Sequence, residues 1–285
     1  MRTEAKRLLV TGAAGMLGGR VVADARERGW EVTGIDLAEA DLTDPVQTEA
    51  AVRDVTPDAV IHCAAWTDVD GAEEREALAL KVNRDASANI AAAAAGVGAR
   101  IVGVSTDYVF DGRLTGRPYV ESDPTGPIGA YGRTKLAGER ALAEHNPDHA
   151  IARTAWLFGA GGKSFPDTML TLAASRDEVA VVTDQVGSPT WTGHLAPALL
   201  DLAAGDATGI FHTAGAGQCS WHELTVELFR AAGVACRVNE TTAAEFRRPA
   251  PRPAWSVLDT EREETPRLPA WQEGVAAYLR EREAS

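Results

Sequence analysis

The sequence predicts an α/β fold built on a doubly wound, mostly parallel sheet, with a smaller lobe interleaved toward the C-terminus. Strand-like apolar runs alternate four times with helix-like segments before residue 131, a pattern typical of βαβ units. A glycine-rich turn joins the first strand to the first helix. The third strand, residues 59–65, is almost continuously apolar, as a strand buried on both faces requires.

Length and charge limit the class of protein. The chain has 285 residues, enough for one large domain or a main domain with a smaller partner. Its formal net charge is −13, from 28 basic and 41 acidic side chains. Broad contact with nucleic acid or an anionic membrane needs basic patches, so neither is expected as a partner.

The cysteines and the N-terminus indicate the compartment. Cys63, Cys219 and Cys236 have no metal-like spacing, so we expect reduced thiols and no metal site. The apolar run at residues 8–10 ends at once in Thr11 and is too short for a signal peptide. We expect a soluble, cytoplasmic protein without a membrane span.

The first strand, residues 7–10, leads into a turn with three regularly spaced glycines before a helix at residues 19–28. Gly12 permits a tight turn, Gly15 lets backbone approach a pyrophosphate, and Gly18 lets the helix pack on the strand. The amides at the start of the helix would then hold the anion. The turn therefore predicts a dinucleotide site.

The second strand, residues 31–35, ends in Asp36. An acidic residue about twenty positions past the glycine turn is placed to bond an adenosine ribose hydroxyl. The competing interpretation is a turn aspartate. A helix capped near residues 43–45 follows, with proline in its first turn.

The third strand contains His62, which we interpret as a hydrogen-bonded core histidine because its neighbours are apolar. Ala64 and Ala65 at the end of this strand leave room for a flat cofactor. A long alanine-rich helix is predicted at residues 72–95, and a fourth strand at residues 100–104.

Tyr131 and Lys135 are four positions apart in a helical run, so they lie on one face, one turn apart. The ammonium is expected to lower the pKa of the tyrosine. Such a tyrosine suits the role of general acid toward a carbonyl oxygen. The spacing also arises by chance on exposed helices. Its weight comes from the glycine turn, Asp36, Ala64 and Thr106, which all follow strands and should meet at one edge of the sheet.

The second half of the chain has weaker signals. The region after residue 241 is rich in proline and arginine. We expect residues 1–155 to form the dinucleotide-binding domain, to which later segments return, and residues 156–285 to form most of a substrate-binding lobe. Further strands are predicted at residues 150–154, 178–183 and 209–213, and helices at residues 165–175, 193–204, 221–232 and 271–282.

The glycine turn together with Tyr131 and Lys135 resembles the extended short-chain dehydrogenase/reductase superfamily, whose nucleotide-binding sheet is of the Rossmann type. Longer motifs resemble the dTDP-4-dehydrorhamnose reductase family within it. They lie at residues 105–112, 153–159, 184–190 and 252–258 and follow one another in the family's order.

The resemblance implies catalytic roles. Tyr131 would protonate the 4-oxygen of a keto-sugar as hydride arrives from the nicotinamide. Lys135 would hold the nicotinamide ribose and tune Tyr131. Thr106, preferred to its neighbour Ser105, would bond the same carbonyl oxygen, where charge develops.

The resemblance also implies substrate contacts. Asp107 and Trp156 would face the sugar nucleotide. Arg252 has the clearest physical reason, since a guanidinium suits a diphosphate. The alternative for each residue is a packing or surface role. Weaker candidates for the nucleotide end are Gln185, Thr190, Arg252 and Ser256.

The expected cofactor is NADH or NADPH, with NADH modestly preferred. Asp36 favours a ribose 2′-hydroxyl, while Arg20 could reach a 2′-phosphate. The expected partner is a dTDP-linked sugar, and a homodimer is a further expectation. The residues expected to bind the cofactor are Gly12, Ala14, Gly15, Met16, Leu17, Gly18, Asp36, Asp41, Leu42, Ala64, Ala65, Trp66, Tyr131 and Lys135.

Other functions stay open at this point. Tyr108 stands where related sugar-nucleotide dehydratases carry an acid, which argues strongly against a dehydratase and less strongly against a 4-epimerase. A non-catalytic, NADP-binding regulatory subunit like that of methionine adenosyltransferase is one alternative. A reductase of another nucleotide-linked keto-sugar is the other.

Overall fold

A computed structural model describes residues 6–284 of the chain; residues 1–5, at the charged N-terminus, and Ser285 lie outside the described residues. Its strands are short and mostly buried. Within residues 6–284 they are β1 Arg7–Thr11, β2 Glu31–Ile35, β3 Ala59–His62, β4 Arg100–Thr106, β5 His149–Thr154, β6 Leu157–Phe158, β7 Glu178–Val182, β8 Val186–Gly187, β9 Thr190–Trp191, β10 Gly209–His212, β11 Cys219–Ser220 and β12 Arg237–Thr241.

The main sheet has six parallel strands in the order β10-β5-β4-β3-β1-β2. The chain runs outward from β1 to β2, then returns to place β3 on the other side of β1. The strand order therefore reverses between β1 and β3, and a crevice opens there beyond the carboxyl ends of the strands. The prediction of a doubly wound parallel sheet is confirmed.

Helices cover both faces of this sheet and complete the smaller lobe. A 3-10 turn, Asp107–Val109, also follows β4 directly. The α-helices within residues 6–284 are α1 Met16–Glu27, α2 Pro45–Val55, α3 Val69–Glu74, α4 Glu76–Leu80, α5 Ala86–Gly96, α6 Ala130–His145, α7 Phe165–Ala173, α8 Thr192–Ala204, α9 Trp221–Ala232 and α10 Trp271–Ala284.

The alternation of side chains along β1 explains the layered core. Leu8 and Val10 pack against α1 and α8 on one face, while Leu9 packs against α2, α5 and α6 on the other. All three side chains are fully buried. Each contributes about 1.5–3 kcal/mol by leaving water. This two-sided burial holds the carboxyl end of β1, and the glycine turn after it, in a fixed position.

The prediction of one continuous helix at residues 72–95 is wrong. The chain breaks at Arg75, whose φ of −131° is not helical, and a π-helical turn occupies Lys81–Asp85. The amide of Asn83 donates to the hydroxyl of Thr134 on α6 at 3.0 Å and its oxygen accepts from the backbone of Trp66 at 2.8 Å. The wider turn directs Asn83 at α6, a tertiary contact that local propensity does not report.

Other predicted boundaries differ by a few residues. Helix α1 starts at Met16 rather than at residue 19, and β3 ends at His62 rather than at residue 65. Strand β4 continues to Thr106, two residues beyond the prediction. Thr106 therefore belongs to β4 itself, whereas Ala64 and Ala65 lie just beyond the end of β3.

The smaller lobe contains three two-stranded sheets, which pair β7 with β12, β8 with β11 and β6 with β9. Phe158, Leu224 and Tyr278 belong to its hydrophobic core. Strand β10 and helix α8 come from the second half of the chain but pack in the main sheet layer. The division at residue 155 stays a prediction. None of the helices within residues 6–284 is both long and apolar enough to cross a membrane.

Candidate active site

A cavity of about 820 Å³, here called the first cavity, opens at the carboxyl ends of the main strands. It extends from the glycine turn after β1 to the start of α6, across the reversal of strand order. Predicted site residues from six separate segments line it. They are Gly12, Gly15, Met16, Leu17, Gly18, Asp36, Asp41, Leu42, Ala64, Ala65, Thr106, Asp107, Tyr131, Lys135 and Trp156.

The glycine turn fits a pyrophosphate. Gly12 has a φ of +68°, and a Cβ there would come within 2.7 Å of the backbone nitrogen of Ala64. A Cβ on Gly18 would lie 2.0 Å from the carbonyl oxygen of Gly12. Gly15 caps α1 without a side-chain hydrogen bond, and the first turn carries no acidic residue. The amides at this end of the helix are therefore available to an anion.

Asp36 lies at the end of β2 beside this turn. One carboxylate oxygen accepts from the backbone of Ala14 at 3.1 Å, and the other from Leu37 at 2.9 Å. Ala14 thus orients Asp36 without lining the cavity itself. The Asp41 carboxylate is bonded by the hydroxyl and amide of Thr43, and these bonds hold the pKa of Asp41 below its usual value.

The structure pairs Arg20, which could reach a 2′-phosphate, with acidic side chains, and its role toward the cofactor stays a prediction. Its guanidinium contacts the carboxylates of Asp24 at 2.7 Å and Glu281 at 3.0 Å. It also lies over the ring of Trp191, 5.1 Å from the centroid. These contacts place the Arg20 side chain at the junction of α1 with α10.

Tyr131 and Lys135 lie in the first cavity, both from α6. The hydroxyl of Thr106 lies close enough to that of Tyr131 to act on its pKa. The ammonium of Lys135 donates to the carbonyl oxygen of Val104 on β4 at 2.8 Å. Thr106 also donates to a carboxylate oxygen of Asp107 at 3.1 Å. The two hydroxyls therefore converge on one side of the cavity.

The pKa of Tyr131 differs from the prediction. Burial, reinforced by the negative charge of Asp107, raises it to about 12, and the nearby hydroxyl of Thr106 offsets this only in part. Burial lowers the pKa of Lys135 to about 8, while Glu139 acts in the opposite direction. Desolvation outweighs the expected effect of Lys135 on Tyr131. The tyrosine therefore carries its proton at neutral pH, as a proton donor must.

Asp107 is a buried carboxyl group at the edge of the first cavity. Burial raises its pKa to about 7, against the nearby hydroxyls of Ser256 and Thr106, which lower it. Its second oxygen, Oδ2, has no hydrogen-bond partner within residues 6–284. That oxygen is available to a ligand hydroxyl.

His62 is a core histidine, as predicted. Its Nδ1 is 2.7 Å from the hydroxyl oxygen of Thr11, and its Nε2 is 3.3 Å from that of Ser87. Burial, with the charge of Lys135, lowers the pKa of His62 to about 3, so the ring is neutral.

A second cavity, of about 600 Å³, lies in the smaller lobe and receives Gln185 and Arg252. The Arg252 guanidinium donates to the carboxylate of Asp70 on α3 at 2.9 Å, so its charge is already paired. The cavity combines aromatic and basic side chains. Its lining residues are Tyr108, Phe165, Met169, Ala180, Val181, Val182, Gln185, Trp221, Ala243, Phe246, Arg247, Arg248, Ala250, Pro251 and Arg252.

Apart from Ala14 and Arg20, three predicted residues line neither cavity. The buried hydroxyl of Thr190 donates to the carbonyl of Ser188 at 3.1 Å and accepts from the amide of Gly215 at 3.0 Å. The indole of Trp66 donates to the carbonyl of Asp68 at 2.9 Å. Ser256 is buried, and its hydroxyl is near enough to Asp107 to lower the pKa of that carboxyl group.

The sequence analysis did not single out Trp221, Phe165 or Arg248, which line the second cavity. Arg248 lies in the arginine-rich stretch after residue 241, and that composition could have indicated a site for an anion. Trp221 begins α9 after a capping serine, and nothing in its neighbours along the chain indicates that it faces a cavity. Within residues 6–284, no group of three or more histidine, cysteine or acidic side chains is arranged to hold a metal ion.

Comparisons with known proteins agree with this geometry. The family model described as the RmlD substrate binding domain matches residues 6–284. A Streptomyces griseus protein named dTDP-4-dehydrorhamnose reductase is 47% identical over 263 residues, covering 90% of this chain and 86% of that protein. A Streptomyces antibioticus protein named probable dTDP-4,6-dihydroxy-2-methyloxan-3-one 4-ketoreductase is 42% identical over 264 residues, covering 90% and 88%.

Among solved structures, the dTDP-4-dehydrorhamnose reductase of Bacillus anthracis in complex with NADP has a TM-score of 0.94 to this chain. The two are 34% identical, and the match covers 97% of this chain and 99% of that one.

Proposed function

This chain belongs to the family described as the RmlD substrate binding domain, and from that premise we propose that it reduces the 4-keto group of a dTDP-4-keto-6-deoxy-L-hexose. It is an oxidoreductase of the dTDP-4-dehydrorhamnose reductase type. The product is the 4-hydroxy sugar, as in the conversion of dTDP-4-dehydrorhamnose to dTDP-L-rhamnose. The cofactor belongs to the nicotinamide class.

The observation that carries this proposal is the content of the first cavity. One cavity holds the open helix end suited to a pyrophosphate and the hydroxyl pair of Thr106 and Tyr131. A dinucleotide lying on the glycine turn would extend along the strand ends toward those hydroxyls. Ala64 and Ala65 leave space between the two. This arrangement suits reduction of a carbonyl group held against Tyr131.

The side chains divide the chemical work. A bound nicotinamide supplies hydride to the carbonyl carbon. Tyr131, protonated because burial raises its pKa to about 12, donates its proton to the carbonyl oxygen. Thr106 donates a hydrogen bond to the same oxygen as negative charge develops there. Lys135 would hold the nicotinamide ribose beside Tyr131.

The second cavity suits the nucleotide end of the substrate. Phe165 and Phe246 offer aromatic faces to a base. Arg248 and Arg252 offer guanidinium groups, which suit the oxygens of a diphosphate. Asp70 pairs with Arg252 and would be in competition with that diphosphate. Asp107 and Tyr108 are adjacent in sequence and line different cavities, so a sugar nucleotide could extend from one cavity into the other.

For the cofactor, we propose use of both NADH and NADPH with NADH modestly ahead. The carboxylate of Asp36 suits a ribose 2′-hydroxyl and repels a 2′-phosphate. The contacts of Arg20 with Asp24 and Glu281 remove one cation that would have offset this repulsion. The complex of the Bacillus anthracis relative with NADP supports tolerance of the phosphate.

The Streptomyces antibioticus relative favours a second candidate, reduction of another nucleotide-linked keto-sugar in a tailoring pathway. The non-catalytic alternative, an NADP-binding regulatory subunit, does not need a proton donor. The presence of Thr106 and Tyr131 together in the first cavity therefore argues for an enzyme.

The test is a panel of nucleotide-linked keto-sugars, scored by oxidation of NADH and NADPH. We expect the dTDP-4-keto-6-deoxy-L-hexose to be turned over fastest. Tyr131→Phe should lower turnover by about a hundredfold or more, with cofactor affinity little changed, because only the proton donor is lost. Tyr278→Phe, which removes a hydroxyl bonded to Asp167 in the smaller lobe, is the matched control. Normal turnover by Tyr131→Phe would refute the catalytic assignment.

A further inference from the structure

Two indole rings lie face to face where the two cavities meet. The centroids of Trp156 and Trp221 are 3.5 Å apart, and their planes differ by 3°. Trp156 lines the first cavity and Trp221 lines the second. Phe165 contacts the indole of Trp221 with a centroid distance of 4.4 Å. The stacked pair therefore forms part of the boundary between the two cavities.

Trp156 has an unusual backbone conformation. Its φ is +47°, in the left-handed region that bulky residues rarely adopt. Aromatic pairs also prefer offset or edge-to-face contacts to a full face-to-face stack. Both features indicate that the surroundings impose the position of this indole.

Gly187 limits the space around the Trp156 indole on another side. A Cβ on Gly187 would lie 2.5 Å from Cε2 of Trp156 and 2.7 Å from its Nε1. Strand β8 carries Gly187 and pairs antiparallel with β11, where Cys219 stands opposite Gly187. Trp221 follows β11 directly. One contact on Trp156 therefore comes from β8, and the other from the residue that follows its paired strand β11.

The backbone at Trp221 is itself firmly held. Ser220 caps α9 by accepting from the amide of Glu223 at 3.1 Å. The carboxylate of Glu223 accepts from the amide of Ser220 at 2.7 Å, which completes a capping box. A rigid first turn fixes where the Trp221 indole leaves the helix.

We propose that Trp221 is a positioning residue for keto-sugar reduction, which acts by holding Trp156 against the sugar in the first cavity. This inference rests on the proposed function. Trp156 shares the first cavity with Thr106 and Tyr131, so its indole limits where the sugar ring can lie. Without Trp221, the strained backbone of Trp156 relaxes and the indole leaves that position. The carbonyl group is then held less closely to Tyr131.

A double-mutant cycle separates this role from direct contact with the nucleotide. Trp221→Leu should lower kcat/KM for the keto-sugar about tenfold or more, because small misplacements are costly in a bound reactant. Trp221→Phe keeps a stacking ring and should retain most of the activity. Cofactor affinity should not change in either variant. The double variant Trp221→Leu/Trp156→Leu should have the same kcat/KM as Trp156→Leu alone, because Trp221 acts through Trp156.

Gly187→Ala perturbs the indole independently. The added methyl group should displace Trp156 and lower kcat/KM while Trp221 stays intact. Two stacked indoles couple their electronic transitions, so the wild-type circular dichroism should contain an exciton couplet that Trp221→Leu removes. Trp30→Leu, at the amino-terminal end of β2, is the matched control and should change neither the couplet nor kcat/KM.

Two results would overturn the inference. Additive losses in the cycle would mean that Trp221 contacts the substrate by itself. Normal kcat/KM in Trp221→Leu, with the couplet gone, would mean that the stack has no positioning role. Wild-type turnover in the same assay reports on the proposed function separately, so its failure is seen before any variant is compared.

Discussion

The hydroxyls of Thr106 and Ser105 belong to adjacent residues and have different partners. Thr106 donates to the carboxylate of Asp107 and acts on the pKa of Tyr131, whereas Ser105 donates to the carboxylate of Glu139. Glu139 also forms a buried ion pair with Arg153 at 2.7 Å. In our proposal the hydroxyl of Thr106 acts in catalysis, while that of Ser105 stabilises a buried charge.

Thr106→Val keeps the shape of the side chain and removes its hydroxyl. We expect turnover to fall roughly a hundredfold, as on loss of one donor to a developing oxyanion, with cofactor binding intact. Ser105→Ala should leave turnover near the wild-type value and lower the free energy of unfolding by about 1–3 kcal/mol. Steady-state kinetics and thermal unfolding of both variants provide the test, and the reverse order of turnover would contradict it.

Asp36 sets the cofactor preference in our proposal. Asp36→Ala removes an acceptor for the ribose 2′-hydroxyl and a charge that repels a 2′-phosphate. The ratio of kcat/KM for NADH to that for NADPH should fall about tenfold, which corresponds to ~1.4 kcal/mol. Asp54→Ala, which removes an exposed carboxylate from α2, is the control. An unchanged ratio would show that Asp36 is only a turn residue.

At the scale of elements, the contact between the π-helical turn and α6 holds the catalytic helix. A Cβ on Gly138 of α6 would lie 2.3 Å from the carbonyl oxygen of Asn83 and 3.3 Å from the hydroxyl oxygen of Ser87. Both helices are thus in backbone contact. Glycine is needed at this point for close approach and not for its conformational freedom.

Gly138→Ala should push α6 away from the π-helical turn. We expect a loss of about 1–3 kcal/mol in the free energy of unfolding, as for other overpacked sites. Turnover should fall as well, because α6 carries Tyr131 and Lys135. Gly96→Ala, at the end of α5 with open space around its Cβ, should be neutral or slightly stabilising. Urea unfolding of both variants checks this, and equal stabilities would be evidence against a close contact.

At the scale of the whole molecule, Asp107 should make stability depend on pH. Burial raises its folded pKa from 3.8 to about 7, so the folded state binds the proton more tightly than the unfolded chain does. Stability should therefore fall as pH rises from about 3.8 to about 7 and stay constant above that, by at most roughly 4 kcal/mol.

Asp107→Asn removes this titration. The difference in Tm between the variant and the wild type should grow in favour of the variant across that interval, then level off. Thermal unfolding at a series of pH values measures the difference. A Tm difference that is independent of pH would contradict the raised pKa.

The sequence predicted the parts of the molecule that depend on local pattern. The strands of the main sheet and the glycine turn follow from apolar runs and glycine spacing. The ion pairs of the arginines could not be predicted from the sequence, because their partners are remote along the chain. Glu281 is 261 positions from Arg20, and Asp70 is 182 positions from Arg252. The same holds for Trp156 and Trp221, which meet only through the pairing of β8 with β11.

The edge strand β10 has a consequence for the order of events during synthesis. It pairs with β5, yet Gly209 leaves the ribosome long after Thr154, because β6 to β9, α7 and α8 are synthesised between them. Until then the β5 edge has unpaired backbone groups open to other chains. The nascent chain therefore passes through a stage in which five strands of the main sheet have been synthesised and the sixth has not.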